Sequence, residues 1–145
     1  MSTSKRKRNK KYFSPAEANA TLPLVRAIVK DITELATSLR DRHERVTRLG
    51  GDRGLGEAHR EELQPLQDEV ERAQQRMKDY VEELKSLGVE LKDYYTGLVD
   101  FPAWINGHEV YLCWRLGEAD VGHWHELDAG FAGRRKLKVE EVHSN

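Results

Sequence analysis

The chain has 145 residues, of which 38% are hydrophobic and 34% are charged, and its formal net charge is −1. This length suits one domain, and no apolar run approaches the roughly 20 residues that a transmembrane helix needs. The single cysteine, Cys113, excludes an internal disulfide and a multi-cysteine zinc site. Because the basic start of the sequence also lacks an apolar signal region, we expect a cytoplasmic protein.

The first eleven residues form a basic segment that carries six lysines and arginines. Such a segment binds nucleic acid or an acidic partner, or it acts as a disordered, solubilising tail. The rest of the chain shows no basic face that would continue a contact with nucleic acid, which favours the second interpretation. We therefore expect a disordered basic arm at residues 1–11, a single domain at residues 12–137 and a tail at residues 138–145.

Helix signals begin immediately after the basic segment. Ser14 and Glu17 have the spacing of a capping box, with Pro15 at the first helical position. Thr21 can also act as an N-cap, and Pro23 follows it closely. The sequence thus predicts a short first turn and a second helix start at Thr21.

Two apolar seams then predict a helical hairpin between about residues 14 and 87. Apolar residues recur every three or four positions from Val25 to Leu49, broken only where Arg42 occupies the seam. A second series, from Leu63 to Leu87, has no break. Four glycines in the seven residues 50–56 end the first helix, and this short connection makes the two helices antiparallel. Since one partner helix covers only part of each seam, we expect a homodimer in which two hairpins form a four-helix bundle. An arm that contacts another protein is the alternative.

Strand patterns follow the hairpin, in about residues 88–137. Val89 to Asp93 alternates, and Asn106-Gly107 between two strand-like runs predicts a two-residue β-hairpin turn. Pro102 indicates that its strand is an edge strand or carries a bulge. The turn fixes which side chains share the face that packs in the core: Val99, Phe101, Ala103, Val110, Leu112 and Trp114. We expect the glycine-rich remainder to be irregular, with a short strand at about residues 121–125.

The sequence therefore predicts an α+β fold. A long antiparallel, coiled-coil-like helical hairpin precedes a small antiparallel β unit, and an irregular glycine-rich segment ends the domain.

Charged side chains crowd among the tryptophans of the β unit, and they suggest a metal site. His123 and His125 are two apart, so on a strand their rings project from the same face. With Glu118 they would supply two imidazoles and a carboxylate, a set that suits Zn²⁺, Fe²⁺ or Mn²⁺, and Asp128 could take the place of Glu118. Glu118 and His125 are also the candidates for a catalytic proton donor or acceptor.

The same segment has an anion-binding interpretation and a structural one. Arg115, Arg134 and Arg135, around the aromatic rings of Trp114 and Trp124, would hold a carboxylate or a phosphate. Asp100 is counted with this ligand site. Alternatively, Arg115 pairs with Asp100 and Arg134 with Glu118, and these pairs fix the irregular segment. Cys113 lies opposite Asp100 in the predicted hairpin, which favours a small, unreactive buried residue.

Several runs of this half are similar to an uncharacterised prokaryotic family catalogued as "domain of unknown function 2203". The runs are Gly88–Asp93, Gly97–Pro102, Val110–Glu118, Trp124-His125 and Gly130–Arg134. The resemblance implies a bacterial protein with a helical hairpin and a small β unit, and it brings no reaction, ligand or catalytic residue. His123 lies outside these motifs, which counts against a metal site built on two histidines.

Two functions of different classes follow from these patterns. The first is a homodimeric interaction or scaffold module whose surface is the helical hairpin. The second is a small metal- or anion-binding protein or enzyme that uses Asp100, Arg115, Glu118, His125 and Arg134. Contact with nucleic acid through the basic arm ranks third. Polar side chains that converge on one point favour a site, and side chains that pair with one another favour a scaffold.

Overall fold

The computed structural model describes residues 10–50 and 56–138. Two helices, α1 (Pro15–Gly50) and α2 (Gly56–Ser86), form the predicted hairpin. Five strands follow: β1 (Glu90–Asp93), β2 (Leu98–Ile105), β3 (His108–Arg115), β4 (His123–Glu126) and β5 (Arg135–Lys136), with a 3₁₀ turn at Phe131–Gly133. The predicted α+β architecture is confirmed. Most of the predicted basic arm, the centre of the glycine-rich connection and the end of the predicted tail lie outside the described residues.

Helix α1 begins with the predicted capping box. The Ser14 amide donates to the Glu17 carboxylate, and the Glu17 amide donates to the Ser14 hydroxyl, both at 3.1 Å. The predicted second start at Thr21 is wrong, because α1 continues through Pro23 without a break. The Thr21 hydroxyl donates to the Glu17 carbonyl at 2.9 Å, as a side chain inside a helix does. Burial of Leu22 and the apolar residues after it against the sheet offsets the cost of the proline.

Burial along the hairpin is greatest at the end that touches the sheet. Val25, Val29 and Ile32 of α1 and Leu84 of α2 are fully buried there. Towards the far end, Val70 and Ala73 are buried, whereas the other seam residues are only half-buried: Leu39, Val46, Leu49, Leu63 and Leu66. The described helices include no stretch long and apolar enough to cross a membrane.

The sheet is an antiparallel meander whose strand order is the chain order. Asn106 and Gly107 form the β2–β3 turn with φ angles of 51° and 81°, the positive values that a two-residue turn requires. The pairing runs from Ile105 opposite His108 to Leu98 opposite Arg115. The predicted core face is confirmed, since all six of its side chains are buried in the cluster that the helices cover.

Pro102 was expected on an edge strand or at a bulge, whereas β2 lies between β1 and β3 in the sheet. Strand β1 pairs only with residues 98–100 of β2, so Pro102 falls beyond its end. There the chain before α1 replaces β1, and the Phe13 amide donates to the Pro102 carbonyl at 2.7 Å. The short strand expected near residues 121–125 is β4, and β5 pairs with it at the far edge of the sheet.

Candidate functional site

The sheet has a second buried surface, on the side away from the helices, which we call the outer face. It carries the side chains that alternate with the core residues, above all Asp100 on β2, Cys113 on β3 and His125 on β4. Asp100 is 3% exposed, His125 is 2% exposed and Cys113 is fully buried. Charged groups are rarely buried without partners, so the contacts among these three residues determine what the outer face can do.

Asp100 and His125 form a buried pair. The His125 Nε2 atom lies 3.0 and 3.1 Å from the two Asp100 carboxylate oxygens. The His125 Nδ1 atom lies 2.7 Å from the Glu126 carbonyl, which can only accept, so this nitrogen carries a proton. A further proton must lie between Nε2 and the carboxylate, because otherwise two lone pairs would face each other. Burial raises the pKa of Asp100, while the contact with His125 opposes that effect.

Cys113 completes a group of three ligand-type side chains. It lies directly opposite Asp100 in the β2–β3 ladder, and β4 brings His125 beside both. One carboxylate oxygen, the thiol sulfur and one imidazole nitrogen all lie within 4.8 Å of one another. Burial, reinforced by the nearby Asp100, raises the pKa of the Cys113 thiol to about 12. The isolated thiol is therefore a poor nucleophile, in agreement with the sequence interpretation.

Glu118 and Arg134 form a second pair beside this group. The two carboxylate oxygens of Glu118 accept from the two terminal nitrogens of Arg134, one of them at 3.0 Å. Glu118 also accepts from the Arg115 amide at 2.8 Å, and its carbonyl accepts from Trp114 Nε1 at 3.0 Å. The hydrogen bond with Arg134 is the main reason that the pKa of Glu118 is lowered.

The two pairs join through Cys113. Arg134 Nη1 lies 3.9 Å from the Cys113 sulfur, which in turn contacts Asp100 and so reaches His125. One continuous polar chain therefore runs from Glu118 to His125. The expected pair between Arg134 and Glu118 is present. Arg115 does not pair with Asp100: it lies opposite Leu98, and its guanidinium is 5.0 Å from the ring of Phe131.

The other candidate residues are placed around this chain. His123 shares the outer face with His125, and its Nδ1 atom lies 3.9 Å from Glu118 Oε2, whose oxygens already bind Arg134. Trp114 and Trp124 lie on the opposite, core face of the sheet. Arg115 and Arg134 both approach Phe131, whereas Arg135 lies over Trp124. The structure thus gathers Asp100 and His125 with Cys113, which the sequence had indicated only as a small, unreactive buried residue.

A second candidate surface is the far end of the helical hairpin, which we call the distal arm: residues 36–50 of α1 and 56–73 of α2. Its two helices differ in charge. Residues 40–50 contain four arginines and two acidic residues, whereas residues 57–71 contain six acidic residues and one arginine. Within residues 10–50 and 56–138, no salt bridge joins α1 to α2.

A groove of about 400 Å³ lies on the hairpin where the distal arm meets the sheet. Leu39, Met77, Tyr94 and Tyr95 contribute to its lining, and the two tyrosines are 48% and 53% exposed. The Arg40 guanidinium lies 5.3 Å from the ring of Tyr95. An apolar groove with a basic rim thus continues the half-buried seam of the arm.

The molecule is therefore an α+β protein in which a helical hairpin is attached to a meander sheet with a buried polar outer face. The chain belongs to the family described as "Uncharacterized conserved protein (DUF2203)", whose family model matches residues 11–137. This match confirms the resemblance seen in the sequence. No curated protein and no solved structure matches the chain.

Proposed function

We propose that the protein is a homodimeric interaction module in which two helical hairpins associate through their distal arms. The observation that carries this proposal is the opposite charge of the two helices of the distal arm, combined with a seam that one chain leaves half-buried. A second copy of the chain is the partner that matches both properties.

Twofold symmetry explains why a second copy fits. In a symmetric dimer the same surface of each chain forms the interface, and a twofold axis that runs along the arms places the basic α1 of one chain beside the acidic α2 of the other. Because of the symmetry, the dimer contains two equivalent contacts between α1 of one chain and α2 of the other. The arrangement is a four-helix bundle, whose core covers apolar side chains that a two-helix hairpin leaves in contact with water.

The half-buried seam supplies the apolar part of the interface. Leu39, Val46, Leu63 and Leu66 each retain some exposure to solvent in a single chain. Val70 and Ala73, in contrast, are already buried between α1 and α2. Substitutions at these two positions would disrupt the hairpin itself, so the proposal is better tested on charged positions.

The test is a pair of charge-reversed chains. One chain carries glutamate at Arg40, Arg42, Arg45 and Arg48, and the other carries lysine at Glu61, Glu62, Asp68 and Glu69. We expect light scattering to give the wild-type protein twice the 16.7 kDa chain mass at micromolar concentration, and each reversed chain alone a single chain mass. An equimolar mixture of the two reversed chains should recover the dimer, because only the mixed pair restores opposite charges across the interface.

The matched control reverses charges on α2 near the sheet, with Lys78→Glu and Lys85→Glu, and it should leave the dimer intact. A wild-type protein of one chain mass would contradict the proposal. So would reversed chains that stay monomeric after mixing while circular dichroism shows that both are folded. In that case the groove at Tyr94 and Tyr95 would be better explained by a different protein partner.

A further inference from the structure

We propose that Asp100, Cys113 and His125 together bind a divalent transition metal ion such as Zn²⁺. This site does not depend on the dimer, and it differs from the metal site that the sequence suggested, since neither His123 nor Glu118 is a ligand. Its basis is the convergence of a carboxylate, a thiol and an imidazole from three adjacent strands, with their ligand atoms within 4.8 Å of one another.

The spacing of the ligand atoms is close to that of an occupied site. Metal–ligand bonds of about 2.0–2.3 Å in a tetrahedral site place the ligand atoms roughly 3.3–3.8 Å apart. His125 Nε2 and Asp100 Oδ2 already lie 3.0 Å apart, so a bound ion requires only small side-chain movements. All three residues are on paired strands, whose ladders hold the three backbones in a fixed relation.

His125 is oriented as a metal ligand. Ligand histidines generally donate the second ring N–H to a carbonyl or a carboxylate, which fixes the ring and directs the other nitrogen to the metal. The contact between Nδ1 and the Glu126 carbonyl has this role, and Nε2 is directed at Asp100. Arg134, at 3.9 Å from the Cys113 sulfur, is an outer hydrogen-bond donor to the thiolate, and Glu118 balances its charge.

The charge balance also favours a divalent ion. The metal would replace the proton that lies between Asp100 and His125, and it would release the proton of the thiol. A carboxylate and a thiolate then neutralise the two charges of the ion, so the buried site has no net charge. A thiolate and an imidazole suit Zn²⁺, whereas Mg²⁺ and Mn²⁺ prefer oxygen ligands. The three described ligands leave the fourth tetrahedral position to water or a small ligand.

Titration with Co²⁺ tests the site directly. We expect the full chain, without an affinity tag, to bind one Co²⁺ and to show a sulfur-to-cobalt charge-transfer band that Zn²⁺ abolishes by displacement. This band requires the one cysteine of the chain as a ligand, so the wild-type protein alone can refute the proposal. The absence of Co²⁺ and Zn²⁺ binding, or binding without the charge-transfer band, would overturn it.

Two variants then separate this site from the one that the sequence suggested. Cys113→Ser is nearly isosteric and should lose the band, with an affinity loss greater than the roughly 10–100-fold that removal of an outer partner causes. His123→Gln, on the same face and the same strand as His125, should bind the metal like the wild-type protein. Loss of binding in His123→Gln with retention in Cys113→Ser would overturn the proposed ligand set.

Discussion

Glu118 is one of the residues that hold the glycine-rich segment around Arg134 to the sheet. Its carboxylate accepts from Arg134, which follows the 3₁₀ turn, and from the amide of Arg115 at the end of β3. Its carbonyl accepts from the indole nitrogen of Trp114. A segment with little regular structure depends on such side-chain partners, because its own backbone supplies few.

Replacement of Glu118 by glutamine should therefore destabilise the protein. The side chains of Glu118 and Arg134 are 20% and 15% exposed, so removal of the charge leaves a largely buried guanidinium without its carboxylate. We expect the free energy of unfolding to fall by about 1–3 kcal/mol, measured by urea titration at neutral pH. Glu82→Gln, at an exposed position of α2, is the control and should change it by less than about 0.5 kcal/mol.

The same pair predicts how this loss depends on pH. The pKa of Glu118 is lower in the folded protein than its ordinary value of 4.5, so the unfolded chain binds more protons between the two values. The stabilisation is fully present above pH 4.5 and disappears as the pH falls through the lowered pKa. The difference in the free energy of unfolding between the wild-type protein and Glu118→Gln should therefore become smaller as the pH falls. A difference that stays constant down to pH 3 would show that Glu118 does not act through its charge.

The partners of Asp100 show why single residues of the site were only partly predictable. The Asn106-Gly107 turn fixed the β2–β3 register, and with it the position of Asp100 opposite Cys113. The partner of Asp100 depends instead on how β4 aligns with β3, and the irregular residues between them leave that alignment open. The spacing of His123 and His125 placed both side chains on one face of the sheet. Which of the two contacts Asp100 depends on the β3–β4 register, and that register brings His125 to it.

Among the elements, the turn between β1 and β2 packs closely against α1 at Gly97. A Cβ atom at Gly97 would come within 2.8 Å of both Val29 Cγ1 and Leu116 Cβ. Gly97 also has a positive φ of 71°, which side chains other than glycine adopt at a cost. Any residue other than glycine would thus push the β1–β2 turn away from the helix.

Gly97→Ala and Gly107→Ala separate crowding from backbone strain. Gly107 has a similar φ of 81° but nothing within 4 Å of its Cβ position. We expect Gly107→Ala to cost about 1 kcal/mol and Gly97→Ala at least about 2 kcal/mol, because only the second adds a clash. Thermal and urea unfolding measure both values. If both variants lost the same free energy of unfolding, the neighbours Val29 and Leu116 would have moved away from the added methyl group without cost.

The predictability of the elements followed the strength of their local signals. The capping box at Ser14 predicted where α1 begins, and the apolar alternation around the Asn106-Gly107 turn predicted β2 and β3. The break at Thr21 was a wrong prediction because Pro23 disfavours a helix locally, whereas burial of Leu22 and Val25 against the sheet favours one. Packing that involves residues far apart in sequence cannot be read from a short window.

At the scale of the whole molecule, the chain before α1 lies along the outer face. The Lys10 ammonium lies 2.6 Å from the Glu109 carboxylate, which is 8% exposed and also accepts from the Tyr12 hydroxyl at 3.2 Å. Next to them, the ring of Tyr12 lies 5.8 Å from that of Trp104. These contacts cover the β2–β3 hairpin at the edge that β1 leaves open.

Two truncated chains test this cover. Removal of residues 1–9 leaves Lys10 in place and should change the melting temperature by no more than about a degree or two. Removal of residues 1–11 deprives the buried Glu109 of its cation and should cost about 1–3 kcal/mol. Lys10→Met in the full chain should reproduce most of that loss, and Lys11→Met should not. If the two truncated chains have the same melting temperature, the ion pair between Lys10 and Glu109 makes no measurable contribution to stability.

The strand order of the sheet has a consequence for how the protein folds. Each strand pairs with the next one along the chain, so the ladders from β1 to β5 close short loops and have low contact order. The contacts of α1 with the sheet are different: Asn19 exchanges two hydrogen bonds with Val121, 102 residues away. The entropy of closing that long loop must be overcome before those contacts form. We therefore expect the meander to form early in folding, and α1 to dock onto it in a later and slower step.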